Sequence, residues 1–216
     1  MIGGDRATEE LDRVAFALLR ESGLDGSSIP GAKQYEKMLA GGLNCPQSSG
    51  MGRLFDGVAA ILGIKKLASY EGQGAVLLEA AAAETAGEYP IVLEGEPLRF
   101  DWRPMIRAIA AERDAGVPTA EIAGRFHNTL AAMAARLCLA ARKKTKISDV
   151  ALSGGTFQNM ILMTKLPAAL GKEGFRVWRH QRVSANDEGL SLGQLMIAEA
   201  YLEEQDHVFG GPAETD

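Results

Sequence analysis

The sequence contains no apolar run long enough to cross a membrane as a helix, and it contains no block of basic residues. With a formal net charge of −5, a nucleic-acid partner held chiefly through its phosphates is not expected. The chain has only two cysteines, Cys45 and Cys138, and these lack the CxxC spacing of a metal site. No secretory signal is visible either. We therefore expect a cytoplasmic protein with reduced thiols and no membrane partner.

The composition is that of a globular protein, with 46% apolar and 24% charged residues in a chain of 216. This length suits one domain or one large lobe of a larger protein. The chain leads from Met1 almost directly into a helical pattern, whereas an α/β enzyme usually begins with a strand. This beginning favours a segment from the middle of a longer protein.

The residues from Val150 to Asn159 form the most informative stretch. A short apolar run predicts a buried strand, Gly154 and Gly155 interrupt it, and a helix is predicted over 157–170. Glycines allow a ligand to approach the backbone, and a helix N-terminus offers free N–H groups to an anion. Asn159 would lie in the first helical turn, near the same ligand. An ordinary strand–turn–helix corner remains an equally good interpretation of this stretch alone.

A second motif lies in the helix predicted over 50–62, where Arg53 and Asp56 are three residues apart. One interpretation is a solvated ion pair worth a few tenths of a kcal/mol. The other is a carboxylate among small residues that accepts hydrogen bonds from ribose hydroxyls. The spacing by itself favours the solvated pair.

A second strand is predicted over 175–179, which would lie parallel to the strand over 150–152 in a βαβ unit. Asp187 follows this strand and precedes a helix, so it would share the ligand-binding edge with the glycine turn. A carboxylate there can hold a divalent cation, or it can simply cap the helix. His127 has no second ligand at metal spacing, which favours a packed or hydrogen-bonded histidine.

The remaining pattern is mostly helical. Amphipathic or alanine-rich helices are predicted over 8–22, 73–85, 102–115 (with Asp101 as its cap), 119–142 and 190–203, and a small hairpin is predicted over 89–100.

Three motifs occur along the chain in this order: GRLFDGVAAILG at 52–63, SGGTFQN at 153–159 and NDEGLSLGQ at 186–194. A further motif, FHNTLA at 126–131, lies between the first and the second. Together they resemble the hydrogenase maturation carbamoyltransferase family, HypF, which is related to the tRNA threonylcarbamoyl transferases. The resemblance extends from Gly3 to about Ala200 and falls on the C-terminal part of the family's carbamoyltransferase domain.

The resemblance implies an α/β, mostly helical fold: a partial second lobe of the nucleotide-binding fold shared by sugar kinases, actin and heat-shock chaperones, with a small sheet. We expect residues 1–203 to form this partial carbamoyltransferase lobe and residues 204–216 to form a flexible tail.

The resemblance further implies an enzyme that uses ATP, a divalent metal ion and carbamoyl phosphate to form carbamoyl adenylate. The carbamoyl group would pass to the C-terminal cysteine of a partner hydrogenase maturation protein. Asp56, with Arg53 beside it, would meet the ribose. Gly154, Gly155 and Asn159 would line the nucleotide, and Asp187 would ligate the metal.

The sequence also departs from the family pattern. It holds neither the glycine phosphate loop nor the paired histidines of the metal site, and Glu188 stands where a glycine is expected. We therefore expect the chain alone to be inactive, since phosphate stabilisation would need donors from both lobes. An ATP-dependent kinase of the same fold and a non-catalytic interaction module are the alternatives.

Overall fold

The computed structural model describes the backbone of residues 1–209 and the side chains of residues 1–202. In chain order its helices and strands are α1 Arg6–Glu9, α2 Asp12–Glu21, α3 Ala32–Ala40, α4 Met51–Ile61, α5 Gln73–Ala81, β1 Val92–Glu94, β2 Arg99–Asp101, α6 Arg103–Asp114, α7 Thr119–Thr145, β3 Asp149–Leu152, α8 Met160–Lys172, β4 Arg176–Arg179 and α9 Leu190–Phe209. Short 3₁₀ helices occupy Gly155–Gln158 and Asp187–Gly189.

The core is a stack of helices around α4 and α7. Helix α4 packs between α2 and α5, and α7 packs against α5, α6 and α8. Phe55 of α4 meets Phe126 of α7 edge-on, with ring centroids 5.0 Å apart. The fully buried side chains include Ile2, Leu11, Leu19, Val58, Leu78, Ile106, Ile109, Ile122, Phe126 and Leu170.

Two small sheets accompany the helices. Strands β1 and β2 form the predicted antiparallel hairpin, with Leu93 opposite Phe100. Strands β3 and β4 pair in parallel, with Val150 opposite Val177, and α8 connects them. The predicted βαβ unit is therefore confirmed, and it places the chain after β3 and after β4 at one edge of the sheet.

One predicted helix is interrupted, and another is shorter than its pattern suggested. The helix predicted over 8–22 is interrupted between Glu9 and Asp12, because the loop at 66–68 takes over its backbone hydrogen bonds. Leu11 N donates to Lys66 O at 2.8 Å, and Ala68 N donates to Glu9 O at 2.7 Å. The helix predicted over 73–85 ends at Ala81. Beyond it, the N–H of residue 83 donates to a carbonyl of α7 at residue 120.

The last helix is longer than predicted, since α9 extends six residues beyond 203 to Phe209. Residues 210–216 lie outside the described part of the chain, so the flexibility expected for 204–216 remains a prediction. Helix α9 leaves many large apolar side chains 46–72% exposed: Leu190, Leu192, Leu195, Met196, Ile197 and Leu202. Over the residues that the structure describes, no helix combines the length and apolarity required to span a bilayer.

Candidate functional site

Arg53 and Asp56 form an ion pair inside the protein, not on its surface. Arg53 Nη2 lies 2.7 Å from Asp56 Oδ2, as the spacing of three residues along α4 predicts. Asp56 is only 1% exposed because α2 and α5 cover this part of α4. The interpretation as a solvated pair is therefore wrong.

The pair keeps unused hydrogen-bonding capacity. Apart from the ion-pair contact between Oδ2 and Nη2, Asp56 Oδ2 and Arg53 Nη1 are both buried without a hydrogen-bond partner among the described residues. Such groups are costly unless something satisfies them. Burial raises the pKa of Asp56 to about 6, although the charge of Arg53 lowers it and Glu71 adds a smaller increase. A buried acceptor beside a buried donor fits a ligand that carries hydroxyl groups.

Gly74 allows α5 to approach this carboxylate closely. A Cβ added at Gly74 would lie 2.7 Å from Asp56 Oδ1 and 2.9 Å from a methyl carbon of Leu11. Only glycine fits between them without displacing a neighbour. This packing holds Asp56 beside the N-terminal turn of α5.

Asn159 is the N-cap of α8 and lies one position before the helix begins. The sequence pattern predicts it in the first helical turn instead. Its Oδ1 accepts a hydrogen bond from Leu162 N at 3.0 Å, and its Nδ2 lies 3.0 Å from His127 Nε2. Asn159 is 7% exposed. Its amide therefore retains one N–H and one lone pair for any further contact.

His127 is a packed, hydrogen-bonded histidine, as predicted. The ring is fully buried, and its Nδ1 lies 2.7 Å from Ala123 O. The rings of Phe55 and Phe126 meet it edge-on, each at a centroid distance of 5.6 Å. Burial lowers the pKa of His127, so the ring is neutral. Its contact with Asn159 was not predicted, because no pattern connects residues 32 positions apart.

Glu79 was also missed by the sequence analysis. Its Oε1 accepts a hydrogen bond from Met160 N at 2.7 Å, so a carboxylate from α5 lies on the first turn of α8. A negative charge at a helix N-terminus is favourable. Glu79 and Asn159 together satisfy two of the N–H groups that α8 leaves open.

The glycine turn lies beside the loop that carries Asp187. Gly154 N donates to Ala185 O at 2.7 Å, and His180 Nε2 lies 3.0 Å from Ser153 Oγ. Gly154 has φ = 100°, a conformation that other residues rarely adopt. Gly154 and Gly155 are exposed, and no atom lies within 4 Å of a Cβ added at either one. This surface is open to a ligand.

Asp187 is exposed at the start of its 3₁₀ helix. The N-cap is Asn186, whose Oδ1 accepts from Glu188 N at 3.1 Å, so Asp187 does not supply the cap. Among the residues whose side chains are described, no group of three or more His, Cys, Asp or Glu side chains could hold a metal ion. Asp187 and Glu188 thus do not make a metal site by themselves.

The structure brings the predicted site residues together in two groups. Gly154, Gly155 and Asp187 share the loops at the edge of the β3–β4 sheet, whereas Arg53 and Asp56 lie within the helical stack. Asn159 follows the glycine turn and contacts His127, which packs against Phe55 next to Asp56. In the described part of the chain, no hydrogen bond or ion pair joins Asp56 directly to Gly154 or Asp187.

Comparison with known proteins shows that this chain is similar to part of a family of carbamoyltransferases. The family described as "Carbamoyltransferase, Kae1-like Domain, second subdomain" matches residues 1–194. Relatives include the carbamoyltransferase HypF2 of Cupriavidus necator, 36% identical over 91% of this chain, and HypF of Rhodobacter capsulatus, 38% identical over 94%. The chain belongs to the HypF carbamoyltransferase family.

A solved structure of full-length HypF in the phosphate- and nucleotide-bound form has the same fold, with a TM-score of 0.81 and 31% identity over 99% of this chain. The fold inferred from the resemblance, a partial lobe of mostly helical α/β type with a small sheet, is thereby confirmed. The chain spans 28% of the Cupriavidus relative, 27% of the Rhodobacter relative and 29% of the solved HypF chain.

Proposed function

We propose that this chain supplies part of the nucleotide site of an ATP-dependent carbamoyltransferase in [NiFe] hydrogenase maturation. The enzyme forms carbamoyl adenylate from ATP and carbamoyl phosphate, and transfers the carbamoyl group to the C-terminal cysteine of a partner maturation protein. Membership of the HypF family supports the transferase class over a kinase of the same fold. Residues 1–203 form the partial lobe in this proposal, and the protein acts in the cytoplasm.

The buried Arg53–Asp56 pair is the observation that carries the nucleotide assignment. A solvent-facing pair would have no need of a ligand, but this pair has a carboxylate oxygen and a guanidinium nitrogen without hydrogen-bond partners. Ribose hydroxyls donate to the carboxylate, and a ribose oxygen accepts from Arg53. A related full-length HypF has been solved in a phosphate- and nucleotide-bound form, which supports nucleotide binding by the family.

The other residues line the rest of the nucleotide. The open turn at Gly154 and Gly155 admits the ligand to the backbone, and the remaining N–H and lone pair of Asn159 orient it. Asp187 would contribute one oxygen ligand to a divalent cation. Among the described residues no group of three or more His, Cys, Asp or Glu side chains completes such a site, so the cation would need further ligands.

The thiol that receives the carbamoyl group comes from the partner. In the transfer, the partner's thiolate sulfur bonds to the carbamoyl carbon, and the bond from that carbon to the phosphate oxygen breaks as AMP leaves. Within this chain, burial raises the pKa of Cys138, so this thiol stays protonated and is a poor nucleophile. This chain binds and orients the nucleotide and leaves the nucleophile to the acceptor.

Asp187→Asn tests the proposed assignment at the sheet edge. In an assembly of this chain with the rest of the carbamoyltransferase domain, we expect carbamoyl-phosphate-dependent formation of AMP from ATP to fall at least about 100-fold, because a carboxylate ligand of the cation that neutralises the phosphates is lost. Folding should not change, since Asp187 is exposed and Asn186 makes the cap.

Glu188→Gln is the matched control, a neighbouring exposed carboxylate whose loss should leave most of the activity. Wild-type turnover by Asp187→Asn would contradict the assignment. ATP turnover to ADP without carbamoyl phosphate would contradict the transferase and favour the kinase.

A further inference from the structure

The buried ring of His127 has one possible tautomer. Its Nδ1 lies 2.7 Å from Ala123 O, which can only accept, so Nδ1 carries the proton. In the neutral ring Nε2 is then a bare acceptor, and it receives the N–H of Asn159 Nδ2 at 3.0 Å. A main-chain carbonyl of α7 thus determines what the ring offers to Asn159.

The carboxamide of Asn159 consequently has one favourable orientation. Its Oδ1 accepts from Leu162 N at 3.0 Å while its Nδ2 donates to His127. After a flip, oxygen would face the lone pair of Nε2 and the amide N–H groups would face Leu162 N–H. Both hydrogen bonds would be lost in a buried place, which is costly.

His127 is itself held on several sides. It is fully buried in α7, and Phe55 and Phe126 pack edge-on against the ring. Phe55 immediately precedes Asp56 on α4. One ring therefore contacts both the helix of the buried ion pair and the N-cap residue of α8.

The charges that face the ring are Glu79 on α5 and Lys165 on α8. Glu79 raises the pKa of His127 and Lys165 lowers it, but desolvation by burial is the largest influence and lowers it. The ring therefore stays neutral at physiological pH, which preserves the acceptor at Nε2.

We infer that His127 is a positioning residue, which acts through Asn159 to hold the remaining amide N–H and lone pair towards the nucleotide. The inference rests on the proposed function, because it requires that Asn159 lines the nucleotide. His127 itself touches no ligand in this arrangement. The neutral imidazole serves as a fixed acceptor that keeps Asn159 in one orientation.

Nitrogen NMR of the imidazole tests the hydrogen-bond arrangement without any ligand. In the wild type we expect Nδ1 protonated and Nε2 unprotonated at pH 7 to pH 8. Asn159→Asp retains an oxygen for Leu162 N but cannot donate to Nε2, so the ring should gain a proton beside the new carboxylate. We expect the pKa of the His127 ring in this variant to be higher than in the wild type by at least about one unit.

A wild-type ring with its proton on Nε2 would overturn the inference. An unchanged titration in Asn159→Asp would overturn it as well. Both results are independent of nucleotide binding, so they separate this inference from the proposed function.

Adenosine titration of two variants tests the consequence for binding. His127→Leu removes the acceptor and should weaken adenosine binding about tenfold, the equivalent of one lost hydrogen bond. His127→Gln offers an oxygen to Asn159 and should restore most of the affinity. Thermal unfolding of both variants separates affinity from stability.

Equal losses of affinity in the Gln and Leu variants would contradict the inference, because a purely structural ring would give this result. If the wild type binds no adenosine, the proposed function fails, and with it the role of His127 at a nucleotide. If His127→Leu does not fold, the ring measurement on the wild type and Asn159→Asp still decides the hydrogen-bond arrangement.

Discussion

Asp56 combines two properties that rarely coincide in a residue of purely structural role. It is almost completely buried, and one of its carboxylate oxygens has no hydrogen-bond partner although Arg53 lies 2.7 Å away. A buried pair of this kind seldom adds much stability, because desolvation offsets the attraction between the charges. This cost is understandable if the pair exists to bind a polar ligand.

The raised pKa of Asp56 predicts a pH-dependent stability. A carboxyl group whose pKa in the folded state lies above its unfolded value of 3.8 favours the fold at low pH, and this contribution is lost as pH rises through about 6. Asp56→Asn should therefore gain stability relative to the wild type by up to about 3 kcal/mol between pH 4 and pH 7.

Urea unfolding of both proteins at pH 4, 5, 6 and 7 measures this difference. The attraction between Arg53 and the ionised carboxylate is already included in the pKa of Asp56, so the exchange of the carboxyl group for an amide adds only a pH-independent offset. A difference that is constant from pH 4 to pH 7 would show that Asp56 is not the buried acid described here.

The residue spacing predicted the Arg53–Asp56 contact but not its burial. Residues three apart on a helix are neighbours in any helix, whereas burial depends on α2 and α5, which pack over α4 in the folded chain. Similarly, the sequence indicated that His127 is packed, but not that Asn159 is its partner. Tertiary contacts of this kind leave no local signal.

At the scale of elements, α7 packs closely at Gly124 against the segment 83–85 that follows α5. A Cβ at Gly124 would lie 2.2 Å from Ala83 O and 2.6 Å from Thr85 Cγ2. The segment is tied to α7, since the N–H of residue 83 donates to the carbonyl of residue 120 and Asn128 Nδ2 donates to Thr85 O. The segment cannot move away without the loss of these bonds.

Gly124→Ala should therefore destabilise the protein by about 3 kcal/mol, since the added methyl group meets backbone that cannot yield easily. Chemical denaturation measures this loss. Gly171→Ala in α8 is the matched control, because no atom lies within 4 Å of its added Cβ. It should be neutral or stabilising by about 0.5–1 kcal/mol. Equal stabilities of the two variants would contradict the packing.

Element type was more predictable than element length. The hairpin, the parallel strands and the long helix α7 follow from local patterns of apolar residues and turn residues. The breaks after Glu9 and after Ala81 do not, because distant backbone groups at residues 66–68 and 120 compete for the same hydrogen bonds. A helical pattern cannot show such competition.

At the scale of the whole molecule, α9 exposes apolar side chains and the β3–β4 sheet has unpaired strand edges. Exposed apolar residues on α9 include Leu195 and Ile197, at 67% and 72% exposure. Within the described residues β3 pairs with β4 alone, so each strand has an open edge. Apolar patches and open edges of this kind favour association with another chain.

We predict that the chain self-associates through α9. Sedimentation velocity should show dimers or larger species that increase with concentration, and a double variant, Leu195→Glu with Ile197→Glu, should shift them towards monomer. Val76→Glu is the control, since it replaces an isolated apolar residue on α5 that is 51% exposed. A monomer at all concentrations in the wild type would contradict this prediction.

We propose that this chain holds the nucleoside side of a carbamoyltransferase site without the phosphate side. Titration calorimetry of the chain with adenosine and with Mg·ATP tests it most directly. We expect adenosine to bind with a dissociation constant of about 1 mM, or about −4 kcal/mol, and Mg·ATP to bind little more tightly. Asp56→Asn should weaken adenosine binding about tenfold, since an acceptor for ribose hydroxyls is replaced. If adenosine does not bind, or binds Asp56→Asn as tightly as the wild type, the nucleoside assignment is wrong. If Mg·ATP binds a hundredfold more tightly than adenosine, the chain holds a complete phosphate site.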